Sequence, residues 1–234
     1  MNRIKNLAII LSLLTFTFAP KVGFAQEEAK EKADSAINSG FLSPMKLRSI
    51  GPALMSGRIA DVAIDQNNPN IWYVGVGSGG VFKTTNAGTT FEPIFDNYDS
   101  YSIGCITIDP SNSATVWVGS GENVGGRHVG YGDGVYVSHD SGKSFKNMGL
   151  KESEHISKII VHPDDSNVVY VASQGPLWSP GGERGLFKTT DGGKTWANIL
   201  EKGEYTGVTD ISMDPKDPSV IYAATHQRLS LIHI

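Results

Sequence analysis

The chain has 234 residues, enough for one domain with a sizeable core, and 39% of them are apolar, which excludes a disordered polypeptide and an integral membrane protein. A net charge of −4, with no local run of Lys or Arg, leaves no basic face for nucleic acid. The 27 glycines point to many turns and short strands, and the single cysteine, Cys105 in the apolar stretch SIGCITI, reads as a buried small side chain with no disulfide partner.

At the N-terminus, Arg3 and Lys5 precede an apolar run from Leu7 to Phe18, and Gly23-Phe24-Ala25 supplies small residues before Gln26. That order predicts a signal peptide over residues 1–25, cleavage after Ala25 and an extracytoplasmic product, periplasmic or secreted. The run is too short to span a bilayer comfortably, so no membrane span is expected after cleavage. Residues 26–40 (QEEAKEKADSAINSG) are polar and charged and read as a tether. Residues 46–52 (KLRSIGP) look like a lone strand, comparable with FEPIFD at 91–96, FKNMGL at 145–150 and WANILE at 196–201.

From there the chain repeats itself with a period of about fifty residues. GVFKTTNAGTTFEPI at 80–94, GVYVSHDSGKSFKNM at 134–148 and GLFKTTDGGKTWANI at 185–199 share one pattern: Ser or Thr, any residue, Asn or Asp, any residue, Gly, two residues and an aromatic. Each is preceded by an apolar strand, a turn rich in Asp, Asn and Pro, and a second strand, at 59–77, 103–121 and 156–174; a fourth copy of this first half runs from 208 to 226. One unit is therefore two hairpins, or four short strands, with period-2 alternation and β-branched residues throughout. In the box turn, Gly88, Gly142 and Gly193 supply positions without a Cβ, and Asn86, Asp140 and Asp191 can accept hydrogen bonds from the turn's own amides. Thr84, Ser138 and Thr189 can bond across the turn mouth, while Phe91, Phe145 and Trp196 open the fourth strand and can pack between units. The acidic members are thus expected to be structural rather than catalytic.

Four-stranded units at this period are the sequence form of propeller blades. Over residues 41 to about 226 the chain resembles the BNR (Asp-box) repeat β-propellers, closest to the sortilin-like extracytoplasmic proteins often labelled "glycosyl hydrolase, BNR repeat". The resemblance implies an all-β propeller, with about three and a half blades here, at about 57–96, 101–150, 155–201 and 207–228, within a partial ring spanning 41–228. It implies that 46–52 closes a final blade, since propellers remove an exposed edge that way. After IYAATHQR the repeat calls for another box, but LSLIHI at 229–234 continues no repeat, so a truncated ring with a non-native tail is expected.

Alternating strand direction places the box turns on one face and the connections between second and third strands on the other. The long connections ENVGGRHVGYGD at 122–133 and GPLWSPGGER at 175–184 fall in the second set, where function concentrates on a rigid scaffold. They hold the carboxylates Glu122, Asp133 and Glu183, and ligand-binding candidates Asn123, Arg127, His128, Tyr131, Trp178 and Arg184. Aromatic rings can stack on a sugar or a side chain, and Arg127 and Arg184 can clamp a carboxylate, or else pair with Asp133 and Glu183 to stiffen the loops. Arg58, just before the first inner strand, would enter the channel. No spacing of His, Cys and carboxylates makes a metal site, and no cofactor is expected. The expected function is a binding module for a protein, peptide or glycan on the loop face. The alternative is a glycoside hydrolase using a pair among Glu122, Asp133 and Glu183. Likeness to sialidases and to xyloglucan-cleaving propellers is confined to the repeat: the residues around Arg58 depart from the sialidase arginine motif.

Overall fold

A computed structural model describes residues 57–123 and 129–227. The expected signal peptide, tether, closing strand and tail, together with Arg127 and His128, lie outside the described residues. The apolar–polar alternation resolves into three four-stranded antiparallel sheets and one two-stranded sheet. The first sheet runs β1 (Ile59–Ile64), β2 (Trp72–Val76), β3 (Gly80–Thr84) and β4 (Glu92–Pro93). The second runs β5 (Ile103–Ile108), β6 (Val116–Ser120), β7 (Val135–Ser138) and β8 (Lys146–Asn147). The third runs β9 (Ile156–His162), β10 (Asp165–Ser173), β11 (Gly185–Thr189) and β12 (Ala197–Leu200). β13 (Thr206–Met213) and β14 (Ile221–Gln227) form the fourth. Within each sheet the spatial order follows the chain order, and the first strands neighbour one another from blade to blade. This is a β-propeller of three whole Asp-box blades and the first hairpin of a fourth.

The core lies between blades. Phe95, Ile103, Val116, Tyr136 and Phe145 pack between the first two, and Trp117, Ile156, Ile159, Val171 and Phe187 between the second and third. The second and third boxes contribute to the joint on their preceding side. Gly142 lies against Tyr73 and Ile94, where an added Cβ would come within 2.8 Å of Ile94, and Gly193 lies against Trp117, where it would come within 2.9 Å. Both glycines also have φ above +80°, so substitution would strain the backbone as well as the packing. The box aromatics stand just before the fourth strands rather than inside them. The Phe145 ring meets Phe95 and Tyr98 at 5.1 and 5.6 Å, and its amide donates to the Tyr98 hydroxyl at 2.7 Å. Trp196 meets Trp117 edge-on at 6.4 Å and donates Nε1–H to the Met148 carbonyl at 2.8 Å. Phe91, in the first blade, is 45% exposed.

Inside each box the hydroxyl is buried, while Asn86 is exposed and Asp140 and Asp191 are half-buried. Thr84, Ser138 and Thr189 are about 1% exposed and each accepts the amide of Gly88, Gly142 or Gly193 at 2.8–3.0 Å. The same hydroxyls donate to Asn86, Asp140 and Asp191 at 2.7–2.9 Å. Those side chains in turn accept the amides of Thr90, Ser144 and Thr195 at 2.9 Å, a box position that the sequence pattern left blank. The residue before the box glycine is left-handed, with φ of 53° at Ala87 and 61° at Ser141. Ala87→Gly and Ser141→Gly are therefore expected to raise stability by about 1 kcal/mol each, read from urea unfolding midpoints. A lowered midpoint at both would show that these turns carry no left-handed penalty.

The hydroxyl and amide of Thr195, followed by the Thr189 hydroxyl, hold the Asp191 carboxyl down at about 2, and Ser144 with Ser138 holds Asp140 lower still. A carboxylate depressed in the fold stabilises it above its unfolded value of about 4 and loses that effect as pH falls through the folded value. Stability is thus expected to fall between about pH 4 and pH 2, and Asp191→Asn should flatten that slope; an unchanged acid limb in the variant would contradict this. The first box has Asn86 at this position and so no carboxylate to add to the slope.

Candidate functional site on the loop face

Strand pairing fixes the faces. Ile59 pairs with Val76, Ile103 with Ser120, Ile156 with Ser173 and Thr206 with Gln227, so each inner strand begins beside the connection that leaves its second strand. The 122–133 and 175–184 connections therefore share a face with the blade-to-blade links, and the box turns lie at the opposite ends of the strands.

The polar residues on this face form a chain across blade junctions. Glu122 is fully buried, and Arg58 of the first blade donates Nε–H to its Oε1 at 2.7 Å and pairs with the same oxygen through a second nitrogen. The Glu122 amide donates to the Ser102 hydroxyl at 2.9 Å, and its carbonyl meets His155 Nδ1 at 2.8 Å. Asn123 donates to the Ser157 carbonyl, and Gln174 donates to the Asn123 carbonyl, both at 3.3 Å. Ser102, His155 and Gln174 escaped the sequence reading. Their signal was positional: Ser102 and His155 stand immediately before inner strands, as Arg58 does, so aligning the repeat copies there would have marked them.

Asp133 caps its own blade, accepting Tyr136 Oη–H at 2.5 Å and the Ser120 hydroxyl at 3.2 Å. Burial first, and this acceptor second, push the Tyr136 hydroxyl well above the ordinary range for a tyrosine. Glu183 Oε2 accepts the Glu152 amide at 2.8 Å, and the Glu183 amide donates to the Glu152 carbonyl at 3.1 Å. Glu152 belongs to a 3-10 turn (Lys151–Ser153) that joins the second and third blades, so the 175–184 loop is stitched to that link. The next residue, Glu154, holds φ at 52° and accepts the Gly132 amide at 2.7 Å, which fixes the end of the 122–133 loop to the same link. Burial raises the Glu154 carboxyl, against the opposing pull of Arg184.

Arg184 is 3% exposed and faces its own loop. It donates to the carbonyls of Gly181, Gln174 and Ser179 at 2.7–2.8 Å and to that of Pro176, which gives the 175–184 loop its shape. The structure thus brings Arg58 and Asn123 together around the buried Glu122 and sets Arg184 apart as the organiser of a neighbouring loop. Exposed on the face are rings. Tyr101 is 64% exposed before β5, Tyr131 is 54% exposed with its ring 5.7 Å from that of His155, and Tyr205 is 36% exposed before β13. Trp178 is half-buried in the 175–184 loop. Among the described residues no cluster of three or more His, Cys, Asp or Glu is placed to hold a metal ion.

Three boxes in register on blades of this topology make the chain a propeller of Asp-box, BNR-like repeats. The Sortilin-Vps10 family (sortilin, neurotensin receptor 3) matches residues 133–231. A xyloglucanase from Paenibacillus sp is 28% identical over 179 residues, covering 72% of this chain and 16% of that protein. Among solved structures, the GH74 enzyme of Niastella koreensis is 25% identical with a TM-score of 0.55, over 69% of this chain and 24% of that one. An ancestral GH74 enzyme (21% identical, TM-score 0.58, 71% and 22% of the two chains) and the GH74 xyloglucanase from Xanthomonas campestris (19%, 0.56, 71% and 26%) share the fold. The chain thus spans a quarter or less of most of these relatives.

Proposed function

We propose that the loop face binds an extended polymer, and that a polysaccharide is the ligand it suits best. The observation that carries this is the set of exposed rings at one end of the strands: Tyr101 and Tyr131 on the second blade and Tyr205 at the entry to the fourth, with the half-buried Trp178 on the third between them. Flat aromatic faces stack on sugar rings at little entropic cost, and rings distributed from the second blade to the fourth suit a ligand several units long. The names of the xyloglucanase relatives favour a glycan over the protein or peptide ligands that the same surface accommodates. The leader-like residues 1–25 support an exported protein that meets such polymers outside the cytoplasm.

Hydrolysis by loop carboxylates is the second reading, favoured by those same relatives. Against it, Glu122 is buried in an ion pair, Asp133 is bonded to Tyr136 and Ser120, and Glu183 holds the Glu152 amide. Isothermal titration with soluble xyloglucan separates the readings. Tyr131→Ala and Tyr101→Ala are each expected to weaken binding by about tenfold, or about 1.4 kcal/mol, without product release by the parent chain. Unchanged affinity in both variants would refute the aromatic surface. Product release lost in Glu122→Gln or Glu183→Gln would establish the second reading.

A further inference from the structure

The two rings that the second blade exposes are carried by segments that grip one another. Ser100 and Ser102 stand on either side of Tyr101 in the link that enters β5. The Ser102 hydroxyl donates to the Gly130 carbonyl at 2.8 Å, and the Ser100 hydroxyl donates to the carbonyl of the next residue, Tyr131, at 3.0 Å. Two consecutive carbonyls at one ring are thus held by the two residues that flank the other ring. Both serines are buried, so water competes little for these bonds.

Neighbouring blades fix the pair from outside. Gly80 of the first blade donates its amide to the Tyr101 carbonyl at 2.8 Å. On the side of the third blade, the Gly132 amide donates to the Glu154 carbonyl at 2.7 Å, and the His155 ring stands beside that of Tyr131. Gly130 adjoins both rings: it precedes Tyr131, and a Cβ there would stand 3.9 Å from the Tyr101 ring and 2.9 Å from Ser102 Cβ and Oγ. Only a residue without a side chain lets the two segments lie this close. Every partner in the arrangement belongs to one of the three whole blades or to a link between them.

We propose that Ser100 and Ser102 are positioning residues of the loop-face site. They set the places from which Tyr101 and Tyr131 leave the backbone, so that the two rings take a saccharide as one unit rather than as independent contacts. The proposal rests on the polysaccharide reading of this face and narrows it to a chain long enough to stack on both rings. Rings whose spacing is set before binding spare the complex the ordering of a loop, and the second ring meets a chain already oriented by the first. The serines act through the backbone that they hold and, being buried, touch no ligand.

The experiment is isothermal titration of soluble xyloglucan into the whole chain, with a double-mutant cycle of Tyr101→Ala and Tyr131→Ala. The cycle is measured in the parent and in Ser100→Ala and Ser102→Ala backgrounds. Each serine variant should bind about tenfold more weakly than the parent. In the parent, removing both rings should cost less than the product of the two single losses, by about threefold or more, whereas in the serine backgrounds the losses should multiply. Ser100→Thr, which keeps the hydroxyl, should restore both the affinity and the coupling. A purely structural serine would lower the unfolding midpoint and leave the coupling between the rings as it is. Without the Ser102 hydroxyl the Glu122 amide still donates to the Gly130 carbonyl at 3.2 Å, and circular dichroism checks the fold of each variant. If Ser102→Ala does not fold, Ser100→Ala and Ser100→Thr decide the matter. Parent affinity in the serine variants, or ring coupling that they leave unchanged, overturns the proposal while the polysaccharide reading stands. A parent chain that binds no xyloglucan overturns that reading and this role together.

Discussion

Phe145→Ala is expected to lower the unfolding free energy by about 3–5 kcal/mol, and Phe91→Ala by less than about 1 kcal/mol, although both occupy the same box position. The difference follows from what each ring touches. Phe145 lies in an aromatic cluster with Phe95, Tyr98 and Tyr136, so truncation leaves a cavity between two blades. Its neighbours are held by two separate sheets, which limits how far the site can collapse. Phe91 is nearly half exposed, and removing it opens no cavity. Denaturant unfolding of the two variants, with m-values compared to that of the parent chain, reads both quantities. Equal losses would mean that the box aromatic acts within its own blade rather than between blades.

Arg184→Lys is expected to cost about 2–4 kcal/mol, although it preserves the charge. A lysine supplies one compact donor group where the guanidinium reaches four carbonyls around a loop. Burial lowers the Arg184 guanidinium from its ordinary value, and no carboxylate is bonded to it among the described residues. The same variant separates the two roles open to this residue. A structural hub loses stability together with any binding that depends on the 175–184 loop, whereas a ligand clamp loses affinity at unchanged stability. The second pattern would contradict the placement of Arg184 inside its loop.

These two residues show where the sequence was legible. The boxes could be read because their pattern is local: a hydroxyl, an acid and a glycine within five positions build a turn from their own atoms, and three copies expose the rule. The loop face was legible as a location, since strand alternation alone decides which connections share an end. The roles of its charged residues were not. Glu122 and Arg184 look like surface groups in a polar, glycine-rich string; the meeting of blades buries the first, and the folding of the 175–184 loop around its own side chain buries the second. Phe91 failed for the same reason in reverse: its pattern matches Phe145, but packing depends on the blade before it. Tyr101 and Tyr205 carry no signal in the sequence, because they sit in the short links between blades rather than in the long insertions.

The central claim is that the two faces of the arc divide the work, with turn architecture on one and ligand contact on the other. Hydrogen–deuterium exchange of the whole chain, with and without soluble xyloglucan at saturation, tests it most directly. Protection is expected in the segments around Tyr101, Tyr131 and Tyr205, with unchanged exchange in the box turns at 86–91, 140–145 and 191–196. Protection confined to the box turns would contradict the account and move the ligand to the opposite face.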